Sequence, residues 1–301
     1  MMLDLRRMML LSDLADLGTV TAVAERRNIT RSAVSQQLRM LEEESAAILF
    51  RRDGRTLGLT RSGQVLAEHV RRILIAVDEA MSAVAETRDR VAGQVAVATF
   101  NMGLATLAAP MVRRLRLEQP DLRVQVQQER SRDALRLLRQ GEVDVAITCH
   151  YDFFGQESSG GLATDPLLFE PLVLLAPPDT HHAIRDHGLA ALADAPWVTG
   201  PHDSGLGVAV MRAGESAGFT PQIKHRLIGP PNICHLAATE VASAIVPRLS
   251  VPASLTGLIV PDVKLGVRTI SAVVRSARQR DPNIRLVLRT LRTIAAEAQP
   301  E

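Results

Sequence analysis

The sequence predicts an α+β multidomain fold in which a winged helix-turn-helix and a long linker helix precede two α/β lobes. Three observations predict it. Apolar residues recur at helical spacing in three short stretches near the amino terminus and in one long stretch from about residue 61. From residue 93 onward β-prone and helical segments alternate, which is typical of a parallel sheet covered by helices. The chain of 301 residues is also too long for one ordinary core.

These patterns set the expected domain boundaries. We expect a winged helix-turn-helix domain over residues 1–60, a linker helix over 61–90, a first lobe formed by 93–163 with 267–301, and a second lobe over 164–266.

Composition limits the class of protein. Apolar residues make up 46% and charged residues 23% of the chain, as in globular proteins. Its longest apolar runs fall short of the roughly 18 residues of a membrane span, and its amino terminus lacks a signal-peptide core, so we expect a cytoplasmic protein with no membrane partner. Two cysteines are too few for a disulfide framework.

Charge alone does not identify a partner. The net charge is +2, and Lys224 and Lys264 are the only lysines. A preference for arginine suits contacts to phosphate and guanine, but it is equally expected from a GC-rich genome.

The amino-terminal segment predicts three short helices. Leu5, Met9, Leu10, Leu14 and Leu17 form the first apolar stripe. Thr19 and Thr30 precede the second and third helices, where a hydroxyl can accept from backbone amides of the first turn.

The third predicted helix has two different sides. Its apolar side carries Val34, Leu38 and Leu41, whereas its other side is polar. A helix-turn-helix inserts such a polar side into the major groove, where amide, hydroxyl and guanidinium groups bond to base edges. The predicted DNA-reading residues are Thr30, Arg31, Ser32, Ser35, Gln36 and Arg39. A solvated helix face is the alternative.

Two β-prone pieces follow, at residues 49–51 and 57–59, on either side of Asp53-Gly54. This dipeptide favours a hairpin turn, so the segment predicts a wing. The predicted phosphate contacts are Arg51, Arg52 and Arg55. A merely charged turn is the alternative.

The long helix that begins after Thr60 carries an apolar stripe at steps of three and four residues. Because a helix that projects from a small domain has little else to cover it, the stripe predicts dimerisation. The alternative is that the stripe packs on its own domain. The predicted dimerisation residues are Leu66, Val70, Ile73, Val77, Met81 and Val84.

With these elements in place, the segment from Leu5 to Arg72 resembles the amino-terminal domain of LysR-type transcriptional regulators. The resemblance is clearest in "GTVTAVAERRNITRSAVSQQLRMLEEE" and "LFRRDGRTLGLTRSG", and it continues more weakly through "PDLRV" and "GEVDVAI" to the carboxy terminus. The residues in the family's order and spacing are Ala24, Ala33 to Gln37, Leu41-Glu42, Leu49-Phe50, Leu59-Thr60 and Gly63.

The resemblance implies a fold and a function. It implies two Rossmann-like lobes of the type 2 periplasmic-binding-protein kind, an effector cleft between them, and a homodimer or homotetramer built on the long helix. The expected function is sequence-specific, effector-responsive transcription regulation. The expected partners are double-stranded operator DNA and a small-molecule effector, with RNA polymerase as a further candidate.

Three departures from the family pattern are visible. Ser45-Ala46 stands where the family commonly has Leu-Gly, and without glycine a left-handed helix end forms less easily, so we expect a different path into the wing. Ser32 replaces a common proline, which costs little in a first turn. Residues 240–242 replace a common Gly-Leu-Gly, which makes the second lobe the weaker part of the match.

An effector cleft is expected at the carboxyl ends of the parallel strands, the usual ligand position in doubly wound sheets. The predicted effector-binding residues are Phe100, Asn101, Ser131, Thr148, Thr199, His202 and Ser204. Ser131 corresponds to a family hydroxyl that caps a helix and commonly touches the ligand. Because helix amino termini attract carboxylates, we expect an anionic or zwitterionic effector. A purely capping role for Ser131 is the alternative.

Cysteine and histidine pairs suggest a second kind of sensor. Cys149-His150, His202 and Cys234-His235 could converge on the cleft and sense metal or oxidants. Their spacing matches no local metal motif, so buried cysteines and surface histidines explain them better. We therefore predict no metal, no cofactor and no catalytic residue.

Three other functions fit the sequence less well. An enzyme is disfavoured because the chain has no G-x-G-x-x-G after the first strand, no G-x-S-x-G, no P-loop and no H-E-x-x-H, and because Cys149 and His150, as neighbours on a strand, point apart. A transported-solute receptor is disfavoured by the DNA-reading segment. An architectural DNA protein would bind no metabolite.

Overall fold

The computed structural model describes residues 3–53, 56–86, 91–155 and 160–298. It divides into two compact units, Met1–Ala85 and Glu86–Glu301, which are described in turn. No helix among the described residues is long and apolar enough to cross a membrane.

The first unit has the predicted winged helix-turn-helix and the long helix. Its elements are α1 (Leu5–Leu17), α2 (Val20–Arg27), α3 (Arg31–Ser45), β1 (Phe50–Asp53), β2 (Thr56–Leu59) and α4 (Arg61–Glu86). The two strands pair antiparallel, as expected for a wing.

One apolar core holds the first unit together. Val34, Leu38 and Leu41 of α3 are fully buried in it, together with Leu11 of α1 and Val23 of α2. The apolar side of α3 therefore packs inward as the sequence predicts, which leaves its polar side outward.

Two side chains, one in α3 and one just before α4, hold the backbone at the start of the wing. One carboxylate oxygen of Glu42 accepts from the amides of Leu49 (2.8 Å) and Phe50 (3.0 Å). The Thr60 hydroxyl donates to the Ile48 carbonyl at 2.7 Å. A Cβ at Gly63 would lie 2.2 Å from the Leu49 carbonyl oxygen, so only glycine permits this close approach.

The helix end at Ala46 differs from the expectation. Ala46 adopts the left-handed conformation (φ 50°, ψ 36°), and its amide donates to the carbonyls of Glu42 and Glu43. The left-handed end therefore forms without glycine, and the expected change of path into the wing is wrong in this respect. The two amides held by Glu42 stabilise the segment that follows this strained residue.

We therefore expect Ala46→Gly to stabilise the first unit. A left-handed alanine costs roughly 1–2 kcal/mol, and the added flexibility of glycine offsets part of the gain, which leaves about 0.5–1 kcal/mol. Thermal unfolding followed by far-ultraviolet circular dichroism measures the change. Ala33→Gly, inside α3, is the control and should lower stability by about 1 kcal/mol. A lower melting temperature for Ala46→Gly would contradict the strain.

The second unit alternates strands and helices. Its strands are β3 (Gly93–Thr99), β4 (Leu122–Gln128), β5 (Val145–Tyr151), β6 (Leu162–Leu175), β7 (Pro196–Thr199), β8 (Gln222–Arg226), β9 (Ser243–Pro247), β10 (Ile259–Val260) and β11 (Val267–Arg275). Its α-helices are α5 (Asn101–Gly103), α6 (Ala109–Glu118), α7 (Ser131–Arg139), α8 (His181–His187), α9 (Gly205–Ser216), α10 (Pro230–Ala237) and α11 (Pro282–Ala298), with a π-helical segment (Leu104–Ala108) between α5 and α6.

These strands form one mixed sheet. Its order is β4-β3-β5-β11-β6-β9-β7-β8, with β10 beside β6. The expected parallel pairing is present in β4-β3-β5 and in β9-β7-β8. The strands between these groups differ from the expectation, because β11 runs antiparallel to both β5 and β6, and β6 runs antiparallel to β9. The last strand, β11, pairs with β5 as well as with β6, and α11 packs in the core around β3.

The long strand β6 connects two separate cores. Its first part, up to Pro171, pairs with β11, and its last four residues pair with β9. One apolar core includes Val97, Met111 and Leu291, and the other includes Trp197 and Ile245. The second unit therefore has two lobes, each with its own apolar core, and β6 runs from one lobe into the other.

Two local features of the second lobe were not foreseen. The edge strand β8 was missed, since most of its residues are exposed and its sequence does not alternate. Glu240 adopts φ 60°, which shows that the left-handed turn forms where the family commonly has glycine.

Candidate functional site

The start of α3 is held by hydroxyl groups. The Thr30 hydroxyl accepts from the Ala33 amide at 3.2 Å and lies 2.9 Å from the Ser32 hydroxyl. Ser35 donates to the Arg31 carbonyl at 2.9 Å. Thr30 is therefore the predicted N-cap, and the first turn of α3 is fixed by its own side chains.

The predicted DNA-reading side chains form one outward surface. Thr30, Arg31, Ser32, Gln36 and Arg39 are exposed, and Ser35 is half-buried. In the wing, Arg51 is exposed, whereas the side chain of Arg52 and the whole of Arg55 lie outside the described residues. The surface combines amide, hydroxyl and guanidinium groups without a carboxylate, which suits the edge of a DNA base pair.

Ion pairs that sequence reasoning missed connect α1 to α2 and to α3. Asp13 is buried and pairs with Arg26 and Arg27 of α2. Arg7 of α1 pairs with Glu44 and donates to the Gln37 side-chain oxygen at 2.9 Å. A buried aspartate in an apolar helix and a basic pair at the end of the next helix were the available signals.

The apolar stripe of α4 divides into two parts. Val70 is fully buried in the core of its own domain and Leu66 packs against that core, so for these two the own-domain alternative holds. Ile73, Val77 and Val84 are exposed, at 38%, 39% and 55%. The side chain of Met81 lies outside the described residues.

On the first lobe, the predicted effector residues lie where strands end. Phe100 and Asn101 follow β3, Thr148 is buried within β5, and Ser131 begins α7. The Ser131 hydroxyl accepts from the Cys149 amide at 3.1 Å. The N-cap residue of α7 is Arg130, and its side chain makes no capping hydrogen bond. Ser131 therefore ties α7 to β5, and the alternative of a pure helix cap is wrong.

On the second lobe, two predicted residues use their hydroxyls locally. Thr199 is buried and donates to the Leu206 carbonyl at 2.9 Å. Ser204 accepts from the Gly207 amide at 3.1 Å and caps α9. His202 is exposed between them. These two hydrogen bonds therefore fix the conformation of the loop between β7 and α9, on which the His202 imidazole is exposed to solvent.

A buried ion pair lies under these loops, and sequence reasoning missed it. The Nε atom of Arg268 donates to Glu170 at 2.7 Å, and a second guanidinium nitrogen contacts the same oxygen. The other Glu170 oxygen accepts from the Leu249 amide at 3.0 Å. The only sequence signal for this pair was one charged residue in each of two apolar strands, and the two residues are 98 positions apart.

Burial and charge set the ionisation of this cluster. Burial alone would lower the pKa of Arg268, but the Glu170 carboxylate and the neighbouring Tyr151 and Cys149 hold that pKa above its usual value. Burial raises the pKa of the Tyr151 phenol and of the Cys149 thiol, although the Arg268 charge opposes both shifts. At neutral pH the cluster therefore contains a charged guanidinium, a neutral phenol and a neutral thiol.

Four of the chain's eight aromatic residues gather near this pair. The rings of Tyr151 and Phe153 stack at 5.4 Å between centroids, and Phe154 lies 5.1 Å from Phe153. The Arg268 guanidinium lies 5.6 Å above the ring of Phe100. A Cβ at Gly205 would lie 2.1 Å from the Tyr151 ring, so this ring packs directly on the first residue of α9.

The cysteine and histidine pairs are not grouped as metal ligands, and both thiols are shielded. Among the described residues, no three His, Cys, Asp or Glu side chains are grouped so that they could hold a metal ion. Cys234 is fully buried within the second lobe, and its thiol donates to the Ser250 carbonyl. Burial also raises its pKa to about 11. Neither thiol has the lowered pKa of a reactive cysteine.

We therefore expect both cysteines to resist modification in the folded protein. At pH 7.5 a thiol with a pKa of about 11 is ionised in roughly three molecules in ten thousand, and only the thiolate reacts. Mass spectrometry after iodoacetamide treatment measures the labelling, and protein unfolded in urea is the control in which both thiols react at an ordinary rate. Rapid labelling of folded Cys149 would support a sensing role instead.

Two family models match the chain. The model described as "Bacterial regulatory helix-turn-helix protein, lysR family" matches residues 5–64, and the model described as "LysR substrate binding domain" matches residues 88–296.

Curated relatives include three transcription regulators. IlvR of Caulobacter vibrioides is 27% identical over 278 residues, which cover 90% of this chain and 88% of that protein. YfeR of Shigella flexneri is 25% identical over 254 residues, which cover 83% and 80%. The nitrogen assimilation regulatory protein Nac of Klebsiella aerogenes is 28% identical over 178 residues, which cover only 59% and 57%.

Solved structures show the same fold. A full-length OxyR variant of Pseudomonas aeruginosa is 19% identical with a TM-score of 0.64, and the match covers 100% of this chain and 99% of that chain. ArgP of Mycobacterium tuberculosis is 22% identical with a TM-score of 0.63, and the match covers 98% of each chain.

Proposed function

Because the chain belongs to the LysR family of bacterial transcription regulators, we propose that α3 reads operator bases and that the cleft between the two lobes binds a small effector. The chain is a DNA-binding regulator with an effector-binding domain. The relatives named above are regulators and not enzymes. The observation that carries the assignment of roles is the outward polar surface of α3 above a fully buried apolar side.

Base reading is assigned to the exposed side chains at the start and middle of α3. Gln36 can bond an adenine edge with two hydrogen bonds, and Arg31 or Arg39 can do so with guanine. Ser32, Ser35 and Thr30 accept several partners. Arg51, with Arg52 and Arg55 of the wing, contacts phosphates, which fixes the register and makes binding salt-dependent.

The effector that we propose is small and anionic or zwitterionic. Arg130 and Arg132 are exposed on either side of Ser131 at the start of α7, where they outnumber the one carboxylate of the first turn, Asp133. Together with the helix amino terminus they favour an anion. Phe100 and Asn101 of the first lobe and Thr199, His202 and Ser204 of the second complete the proposed site, with Thr148 beneath it.

A dimer is proposed on the exposed part of the α4 stripe, formed by Ile73, Val77 and Val84, and two dimers would make a tetramer. We also propose RNA polymerase as a partner at the promoter, and the cytoplasm as the place of action.

A single charged substitution in the exposed α4 stripe tests the proposed dimer. We expect Val77→Glu to shift the protein from dimer or tetramer to monomer, because a carboxylate buried in an apolar helix pair lacks a partner. Sedimentation velocity at micromolar concentration measures the change. Ala76→Glu, at an exposed neighbouring position, is the control. An unchanged sedimentation coefficient for Val77→Glu would place the dimer elsewhere.

Footprinting tests the function as a whole. The DNA upstream of the chain's own gene is treated with the full-length protein and then with each member of a panel of amino acids and organic acids. We expect protection in two half-sites and a change of the protected pattern with one metabolite class. If no fragment is protected selectively, the assignment of α3 as the reader fails. If no metabolite changes the pattern and calorimetry shows no binding, the effector assignment fails.

A further inference from the structure

The proposed function gives no role to the ion pair that Arg268 forms with Glu170. Arg268 and Glu170 expose only 2% and 3% of their surface. Removing two charges from water costs about as much as their attraction returns, so a buried pair adds little net stability compared with apolar residues of similar size. Such a pair is better explained by the groups that it holds in position.

The contacts of Arg268 reach both lobes. Its guanidinium lies over the ring of Phe100, which directly follows β3 in the first lobe. Through Glu170 it connects to the Leu249 amide, which follows β9 in the second lobe. Arg268 also lies directly opposite Tyr151 in the β5–β11 pair, and its charge counteracts the rise in the pKa of the Tyr151 phenol.

Tyr151 extends this connection to α9. The ring of Tyr151 belongs to the apolar core of the second lobe although its strand begins in the core of the first. Because it packs directly on Gly205, it contacts the first turn of α9, immediately after the loop that carries His202 and Ser204.

We propose that Arg268 is the positioning residue of the effector cleft. Its guanidinium holds Phe100 of the first lobe in register with two elements of the second lobe, α9 through Tyr151 and the segment at Leu249 through Glu170. The planar guanidinium suits this task because its five donors point in fixed directions, which a lysine ammonium cannot reproduce. The proposal rests on the proposed function only in naming the cleft as an effector site.

Hydrogen–deuterium exchange of the full-length protein tests the proposal. Arg268→Lys keeps the charge and loses the fixed geometry. Peptides that cover 205–208 and 248–251 should then exchange at least ten-fold faster than in the parent, while peptides from β7 keep the parental rate. Arg275→Lys is the matched control, because Arg275 is buried in the same strand and donates to the Leu138 and Val143 carbonyls of the first lobe. It should leave both peptides unchanged.

A second variant covers a failure of Arg268→Lys to fold. Tyr151→Phe removes only the hydroxyl, so it should accelerate exchange at 205–208 and not at 248–251. Parental exchange in the Arg268→Lys peptides, equal acceleration throughout the unit, or the same pattern in Arg275→Lys would overturn the proposal. If the exchange rates change as expected but the protein binds no metabolite, Arg268 still positions the two lobes, and only the assignment of the cleft as an effector site fails.

Discussion

Arg268→Met is expected to lower the free energy of unfolding of the second unit by about 3–5 kcal/mol, because it leaves the Glu170 carboxylate buried without its partner. Trp197 is the chain's only tryptophan and lies in the core of the second lobe. Urea unfolding followed by tryptophan fluorescence therefore reports this unit and not the DNA-binding unit.

A double variant separates lost charge pairing from lost packing. Glu170→Gln in the Arg268→Met background removes the buried charge and keeps an oxygen that can accept from the Leu249 amide. The double variant should recover at least half of the lost stability. If it is no more stable than Arg268→Met alone, packing rather than the uncompensated carboxylate explains the loss, and the account of the buried pair is wrong.

Changing Gln36 and Arg39 together to Ala is expected to weaken selective DNA binding by about a thousand-fold. Each specific base contact contributes about 1–3 kcal/mol, so two contribute about 4 kcal/mol, which is roughly three powers of ten in affinity. Both side chains are exposed, so the melting temperature should not change.

Fluorescence anisotropy with a footprinted promoter fragment and a scrambled fragment measures this loss. Affinity for the scrambled fragment should fall far less, because nonspecific binding depends on phosphate contacts. Glu43→Ala, an exposed position near the other end of α3, is the control and should retain selectivity. A double variant that still binds the promoter selectively would remove Gln36 and Arg39 from the reading surface.

The sequence predicted the elements whose signals are local. Thr30 is a helix cap, and Val34, Leu38 and Leu41 recur at helical spacing, so α3 and its polar face could be predicted from fifteen neighbouring residues. The wing was predictable for the same reason. Local rules fail at Ala46. The propensity of alanine disfavours the left-handed conformation, but the Glu42 contacts and the packed wing impose it.

Features that depend on distant partners could not be predicted. The direction of β11 is not encoded in its own alternation, so the sheet was expected to be parallel. Val70 has the same apolar character as Val77, yet it is buried in its own domain whereas Val77 is exposed. Glu170 and Arg268 each lie in an apolar strand, and only the fold shows that they meet.

We propose that an effector in the cleft changes how the paired DNA-binding domains hold the operator. Fluorescence resonance energy transfer between dyes at the two ends of the footprinted promoter measures this most directly. With saturating protein, adding the metabolite that binds the chain should change the transfer efficiency, because a different spacing of the wings bends the DNA differently. A metabolite that binds by calorimetry but leaves both the transfer efficiency and the footprint unchanged would contradict the account.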